Sequence, residues 1–487
     1  MEIAEDIKAQ PKKQPSLNFA LMTIVVLILF IVASMSLLGI PIVTTLFFSW
    51  LILVPFAWKL GYSPKEIEKD VYEMIKVGAG LFALLLAIGC MIAVWISAGT
   101  VPTLIYWGLE LISPKYFLVV AFLISMLISL PLGTNWGTVS TVGVAMMGIG
   151  MGMGISPGIV AGAVVSGSCV GNLVSPVADT PLLTSTIAGV PLMKHLKHMV
   201  SVAVPGVIIS AALYTVVGFY FSDASMDVQA TNNMLSSLAS TFNIGWITLI
   251  PLAVVIGLLA CKQSAVAAIM VGCFVGSFIS VFYQGHSFSE VGNFLATGVS
   301  IETGNKFLDP ILNRGGISSM LELIGVVVAA LGMGGILKGS GILGKIIDSM
   351  SNVIHSRVGL ITSTFAGCAV CSSLVAANYF SMIMNATLMA PLYKKFRYRP
   401  ENASRAVSNF TDCLSMMVPW SLNGTFIAAT LGVPLIAIIP FMFFNITMIV
   451  LELVYGLCGI SLNKYSDEEF EEVNDQQGSS LKEISHS

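Results

Sequence analysis

The stretch Ser166-Gly167-Ser168-Cys169-Val170-Gly171-Asn172-Leu173-Val174-Ser175-Pro176-Val177-Ala178-Asp179-Thr180-Pro181 decides how this chain is read. It lies inside an apolar segment, residues 157–190, that is long enough to cross a bilayer. Yet it carries a proline, an asparagine and an aspartate at its middle. An interior proline removes one helical hydrogen bond and clashes with the preceding turn, so the spacing predicts a helix interrupted near 172–176. Broken backbone at membrane depth is tolerated only where protein or a water-filled cavity satisfies it. The stretch therefore predicts a discontinuous helix lining a polar site.

Composition agrees with a membrane setting. Of the 487 residues, 56% are hydrophobic and only 10% are charged, against about 25% charged in soluble domains. Apolar runs recur at 19–40, 42–58, 78–98, 200–221, 244–260, 264–282, 321–337 and 434–457. No long polar segment separates them, so one membrane domain is expected rather than several soluble ones. No basic tract suggests nucleic acid. The first run is followed directly by the second and reads as a retained helix, not a signal peptide. Cys368 and Cys371 form C-x-x-C on an apolar segment without a second pair or a nearby histidine, which reads as packing rather than metal binding.

Charge placement gives a topology. Lys and Arg favour the cytoplasmic side of short loops. With the N-terminus inside, Lys8, Lys12, Lys13, the lysines of 59–76, Lys194, Lys197, Lys262, Lys338, Lys345, Arg357 and the cluster Lys394, Lys395, Arg397 and Arg399 all fall inside. Lys115, Lys306 and Arg314 are the exceptions. The loops 222–243, with Asp223 and Asp227, and 284–317 are then external. The scheme works only if two segments turn back to the side they came from. These are 116–153, around Gly133-Thr134-Asn135-Trp136-Gly137, and 358–391, around Asn378. A tight polar turn between apolar arms reads as a re-entrant helical hairpin.

The chain also repeats itself. A shift of 243 residues brings Asn135 onto Asn378, Pro157 onto Pro400, Pro176 onto Pro419 and Gly189-Val190-Pro191 onto Gly432-Val433-Pro434. A shift of 224 aligns Gly61–Ile67 with Gly285–Val291. The topology puts one member of that last pair inside and the other outside, so the halves are inverted. One pattern used in both orientations gives two near-equivalent conformations, a hallmark of secondary transporters with midplane sites.

Polar groups at membrane depth default to functional hypotheses. The first tip offers Thr134, Asn135 and Thr138, and the first break offers Asn172, Ser175, Asp179 and Thr180. The second tip offers Ser372, Ser373 and Asn378, and the second break Asn409, Thr411, Asp412, Ser415, Trp420, Asn423 and Thr425. Na+ takes hard oxygen ligands, and a carboxylate can hold either Na+ or H+. Asp179 is expected as the principal carboxylate, with Asn172 and Ser175 as fellow Na+ ligands, and Asp412 as the secondary one. Glu322 and Glu452 fall near helix ends, and Glu110 in an external loop. Gly148, Gly150, Gly152 and Gly154 are expected at a close helix contact. His195 and His198 are expected at the cytoplasmic interface.

At these positions the sequence resembles the NhaC family of Na+/H+ antiporters, in the ion transporter superfamily. The segments 133–138, 171–180 and 418–424 resemble that family's G-T-S-W-G-T, G-D-x-x-S-P-x-x-D-T and I-P-W-N-T patterns. Asn172 stands where many relatives have an acidic residue, and Ala376-Ala377-Asn378-Tyr379 lacks their acidic–Gln pair. The resemblance implies an all-α polytopic fold of two inverted repeats, each with a re-entrant hairpin and a broken helix, moving as an elevator in a homodimer. It also admits exchangers of small organic anions, such as malate and lactate, and of amino acids.

The resulting expectation is a multi-pass protein of the cell inner membrane, with both termini cytoplasmic. Its parts are a tail at 1–18, a first repeat at 19–221, an external linker at 222–243, a second repeat at 244–460 and an acidic tail at 461–487. It would use no cofactor and would carry Na+ and H+ as transported ions. The candidate binding residues are Asp179, Asp412, Thr134, Asn135, Asn172, Ser175, Thr180, Asn378, Ser415, Trp420 and Asn423. No break contains a histidine, so a nucleophile–base pair or metal cluster typical of an enzyme is not expected. No Lys or Arg is expected at either tip or break, which favours cation exchange over carriage of a carboxylate.

Overall fold

The structure, a computed structural model, describes residues 13–222, 228–261, 263–301, 309–313, 315–351, 354–375 and 377–470. The topology expectations on Lys8, Lys12, Asp223, Asp227, Lys262, Lys306, Arg314 and the tail beyond 470 lie outside these residues, as does Ala376 of the second tip. Among the described residues there is no strand, only an isolated bridge between Tyr398 and Lys464.

The first half runs through α1 (Leu17–Val32), α2 (Ile42–Lys59), α3 (Pro64–Val77), α4 (Ala79–Ser97), α5 (Thr100–Leu111), α6 (Pro114–Leu132), the short α7 (Asn135–Thr138), α8 (Val144–Gly152), α9 (Pro157–Val174), α10 (Asp179–Ile187) and α11 (Leu192–Ser222). A π-helical turn, Val139–Gly143, joins α7 to α8. The helix α12 (Val228–Thr241) leads into the second half. There follow α13 (Ile250–Ala260), α14 (Ala265–Phe282), α15 (Phe288–Thr297), α16 (Asp309–Leu312), α17 (Ser318–Gly339), α18 (Ile342–Ser351), α19 (Arg357–Val375), α20 (Asn378–Lys395), α21 (Pro400–Ser415), α22 (Leu422–Leu431), α23 (Leu435–Ile438) and α24 (Phe443–Cys458).

Eight of the described helices are long and apolar enough to cross a membrane, and ten spans result if two sharply bent pairs each count as one. Large apolar side chains such as Leu29, Phe47, Ile208, Val216 and Phe274 stand exposed on the outer surface. An apolar surface on this scale has lipid as its solvent. The chain is an all-helical, multi-pass membrane protein.

Several segments differ from the sequence reading. Residues after α4, read as loop, form α5, and Glu110 sits exposed near its end. The linker 222–243 contains α12, whose Met234 and Leu238, followed by Phe242 just beyond its end, make a buried stripe on an otherwise polar segment. The loop 284–317 contains α15 and α16. The run 434–457 is not one helix, because a 3-10 turn at Ile439–Phe441 separates α23 from α24. Helix α11 begins eight residues before the apolar run at 200. Both segments matched by the 224-residue shift start helices in the same way. Ser63 caps α3 and Ser287 caps α15, each in a reciprocal box with a glutamate three residues on.

The packing that places the site is between α6 and α9. Here backbone meets backbone, since a Cβ on Gly167 would lie 2.3 Å from the Phe122 carbonyl oxygen and one on Gly171 2.2 Å from Ser129 Oγ. Ser129 Oγ donates to the Ser168 carbonyl at 2.6 Å across the same contact. Three of the four glycines of the run make close contacts, Gly148 and Gly152 against Ile105 of α5 and Gly150 against Val160 of α9, whereas Gly154 is exposed in a left-handed turn with nothing within 4 Å.

Candidate functional site

Two interrupted helices and two turns meet in the interior. The first interruption, residues 175–178, separates α9 from α10. Ser175 is extended, with φ −76° and ψ 134°, as a residue before proline must be. Thr180 Oγ1 then donates to the Asn172 carbonyl at 3.1 Å, stapling the restart to the end of α9. The second interruption, residues 416–421, separates α21 from α22. There the Ser421 hydroxyl accepts the Gly424 N–H at 2.9 Å and caps the new helix. The first turn passes through Gly133, at φ 64°, where a Cβ would collide with Val177 and Ala178 of the first interruption. Only glycine satisfies both the left-handed backbone and the close approach.

A cavity of about 150 Å³ lies between these elements. Thr134, Asn135 and Trp136 come from the first turn, and Asn172, Asp179 and Thr180 from the first broken helix. Asn378 and Tyr379 come from the second turn, and Leu422 and Asn423 from the second broken helix. The matched asparagines 135 and 378 thus face one space, as the repeat implied.

The two carboxylates differ in setting. Asp179, the first residue of α10, is exposed and accepts a short hydrogen bond from the Tyr379 hydroxyl. Asp412, on α21, is completely buried. Its Oδ1 accepts from Asn378 Nδ2 at 2.8 Å, while its Oδ2 has no hydrogen-bond partner. The Thr180 hydroxyl faces this carboxylate too, but its proton is committed to the Asn172 carbonyl. Asn378 Oδ1 is a second buried oxygen without a partner. Uncompensated buried acceptors are costly, and here two sit on side chains bonded to each other.

Comparison with known proteins decides the family. The model of the Na+/H+ antiporter family matches residues 185–460. The "Na(+)/H(+) antiporter NhaC" of Alkalihalophilus pseudofirmus is 33% identical, over 93% of this chain and 98% of the relative. The chain belongs to the Na+/H+ antiporter family. A "Malate-2H(+)/Na(+)-lactate antiporter" of Bacillus subtilis is 35% identical over 87% of this chain and 90% of its own length. An "Arginine/ornithine antiporter ArcD" of Halobacterium salinarum is 30% identical over 94% and 95%. The chain is thus a secondary antiporter by family.

In this antiporter the remaining candidates stand beside the cavity rather than in its lining. Ser415 Oγ accepts from Asn423 Nδ2 at 2.9 Å, and Asn423 Oδ1 accepts from Trp136 Nε1 at 2.7 Å. The pair joins the first turn to the second break. Trp420 Nε1 donates to the Ser373 carbonyl at 2.6 Å, bracing the second turn. Ser175 Oγ is turned to its own backbone, accepting from the Val177 N–H at 3.3 Å, and is not part of the lining.

Sequence reading missed Tyr379, Trp136 and Arg405. Arg405 is fully buried in the first half of the second broken helix, outside the break itself. It pairs through Nε and Nη2 with Glu452 of α24, which is equally buried. His195 and His198 are also buried rather than interfacial. They contact Ser404 and Asn402 of α21, and Arg405 Nη1 lies 2.8 Å from His198 Nε2. Such a cluster arises from residues distant in sequence, and no local pattern announces it.

Proposed function

We propose that this antiporter exchanges Na+ for H+ at Asp412, which is buried behind the cavity wall and bonded to the lining residue Asn378, with Asp179 on that wall. One observation carries the reading. Asp412 Oδ2 and Asn378 Oδ1 are buried side-chain oxygens without a donor, carried by two side chains that are hydrogen-bonded to each other. Such a pair fits a dehydrated Na+, with the Thr180 hydroxyl oxygen as a further hard ligand. When Na+ leaves, an unpaired buried anion is costly, and a proton on Oδ2 becomes the cheaper state. Competition of Na+ and H+ for one carboxylate suffices for antiport. The sequence put Asp179 first, whereas burial argues for Asp412 as the exchanging group and for Asp179 as the charge at the mouth, held by Tyr379.

The same reading takes the two halves as inverted repeats with re-entrant hairpins. It is supported by the turn at 133–134 and the start of α20 at Asn378, which follows Ala377, by matched interruptions at 175–178 and 416–421, and by the paired capping boxes. In it the tips approach from opposite sides, the termini are cytoplasmic, the protein resides in the cell inner membrane as a homodimer, and the tip-bearing unit moves as an elevator.

A second reading, exchange of a small organic anion with Na+ and H+, takes its weight from the Bacillus relative. The cavity argues against it, since no Lys or Arg is among its lining residues and Arg405 is already held by Glu452. Proteoliposomes given an inward Na+ gradient should expel protons without any organic solute. If proton movement begins only when malate, lactate or arginine is added, the anion or amino-acid reading replaces cation exchange.

A further inference from the structure

Buried polar atoms without partners recur along one seam, between α19, α20 and α21, that begins at the cavity wall. On α20 the residues 378, 381 and 385 share a face. On α21 Ser408 and Thr411 are one turn apart. Ser408 Oγ, Thr411 Oγ1 and Asn385 Oδ1 are all buried and unpartnered, as are Asn378 Oδ1 and Asp412 Oδ2 at the top of the seam. Asn385 Nδ2 donates to the Ser381 carbonyl at 2.8 Å, which fixes its oxygen toward α19. There Gly367 makes the room, since a Cβ on it would lie 2.4 Å from Asn385 Oδ1. The thiols facing these groups, Cys368 beside Thr411 and Cys371 beside Asn385, are weak donors. Lower down, the Tyr393 hydroxyl is 3.4 Å from Thr364 Oγ1 and faces the Arg405–Glu452 pair. Arg405 Nη1 in turn donates to the carbonyl of Ser461, which is only partly buried, at 2.9 Å. Polar side chains thus recur along these three helices from Asp412 toward the end of the molecule marked by Lys394–Arg399, with apolar residues such as Met389 and Val407 packed among them.

Orphan polar atoms in a dry interior are a debt that ordered water settles, given several polar partners at each position. A file of hydroxyls, amides and water is also a proton conductor. Sodium, by contrast, would have to shed its shell repeatedly along it.

We propose that the α19–α20–α21 seam is a proton path serving Asp412, separate from the cavity through which Na+ reaches the same carboxylate. Asn385, Ser408 and Thr411 hold the relay and Tyr393 stands at its outer end. The proton that Na+ displaces from Asp412 passes along O–H groups of the file and leaves at the Arg405–Glu452 end. No other bond is made or broken, and no oxidant or reductant is needed. This rests on the proposed exchange at Asp412 and adds a route to it.

The test uses Asn385→Leu, which fills the seam with apolar atoms, and Thr411→Val, which removes one hydroxyl without changing shape. Asn385→Ser restores polarity and space. Equilibrium 22Na+ binding to purified protein and Na+-driven proton movement in proteoliposomes, in H2O and D2O, are measured for each. Binding should stay close to wild type in all three. Proton movement should fall by about tenfold or more in Asn385→Leu, with a larger D2O effect than wild type, fall less in Thr411→Val, and recover in Asn385→Ser. Wild-type rates and isotope effects in both Asn385→Leu and Thr411→Val would overturn the path. Parallel loss of Na+ binding would also overturn it, by making the seam a cation site. If the wild type binds Na+ but moves no protons, the exchange reading itself fails, which the variants cannot mimic.

Discussion

Asn378 donates from Nδ2 to Oδ1 of Asp412 at 2.8 Å. The bond joins the second turn to the second broken helix. The next residue, Tyr379, donates to Asp179 of the first broken helix. Two consecutive residues at the start of α20 therefore hold one carboxylate from each half of the chain. Movement of that helix end would alter both carboxylates at once, which is what a coupled exchanger requires.

The two carboxylates should separate on mutation. Asp412→Asn mimics the protonated state and should abolish Na+-driven proton movement in proteoliposomes while the purified protein stays folded. Asp179→Asn keeps a side chain that Tyr379 can reach, and should leave exchange measurable with a weakened apparent Na+ affinity. The opposite pattern would return Asp179 to the principal role.

The Arg405–Glu452 pair should matter for stability. Both side chains are buried, at 0% and 1% exposure, so removing one charge strands the other. Glu452→Gln is expected to cost about 3–5 kcal/mol, whereas replacing both by methionine should recover most of that loss. Thermal unfolding in detergent checks the order. Equal destabilisation by the single and double replacements would show that the charges are not what holds this contact.

The α6–α9 contact should not tolerate a methyl group. Gly171→Ala would press a Cβ to 2.2 Å from Ser129, and overpacking of this kind costs about 1–3 kcal/mol or more. Gly292, on α15, meets nothing within 4 Å. Gly292→Ala should therefore leave stability unchanged or raise it by up to about 1 kcal/mol. The same unfolding assay separates the two, and a neutral Gly171→Ala would refute the packing argument.

Local physics explains what the sequence revealed. Gly133, Pro176 and Pro419 constrain their own backbone, so the turns and interruptions they mark could be placed within a few residues. Thr134, Asn135, Asn172, Asp179, Thr180, Asn378 and Asn423 are polar groups within apolar stretches of sequence, and all of them line the cavity. What escaped is long-range or compensated. Arg405 and Glu452 lie 47 residues apart in sequence, and each reads as an ordinary charge until the fold pairs them. Tyr379 was hidden because its ring resembles packing and its partner is on the other half of the chain. The helix α12 was hidden because three apolar residues sufficed to dock a polar segment.

The central claim is that Na+ and H+ compete for Asp412. Its most direct measurement is proton release when Na+ is added to purified antiporter in weakly buffered detergent solution, followed with a pH-sensitive dye. The wild type should release protons in a Na+-saturable manner, and Asp412→Asn should release none. Undiminished release from folded Asp412→Asn, or no release from the wild type at any pH where it binds Na+, would contradict the account.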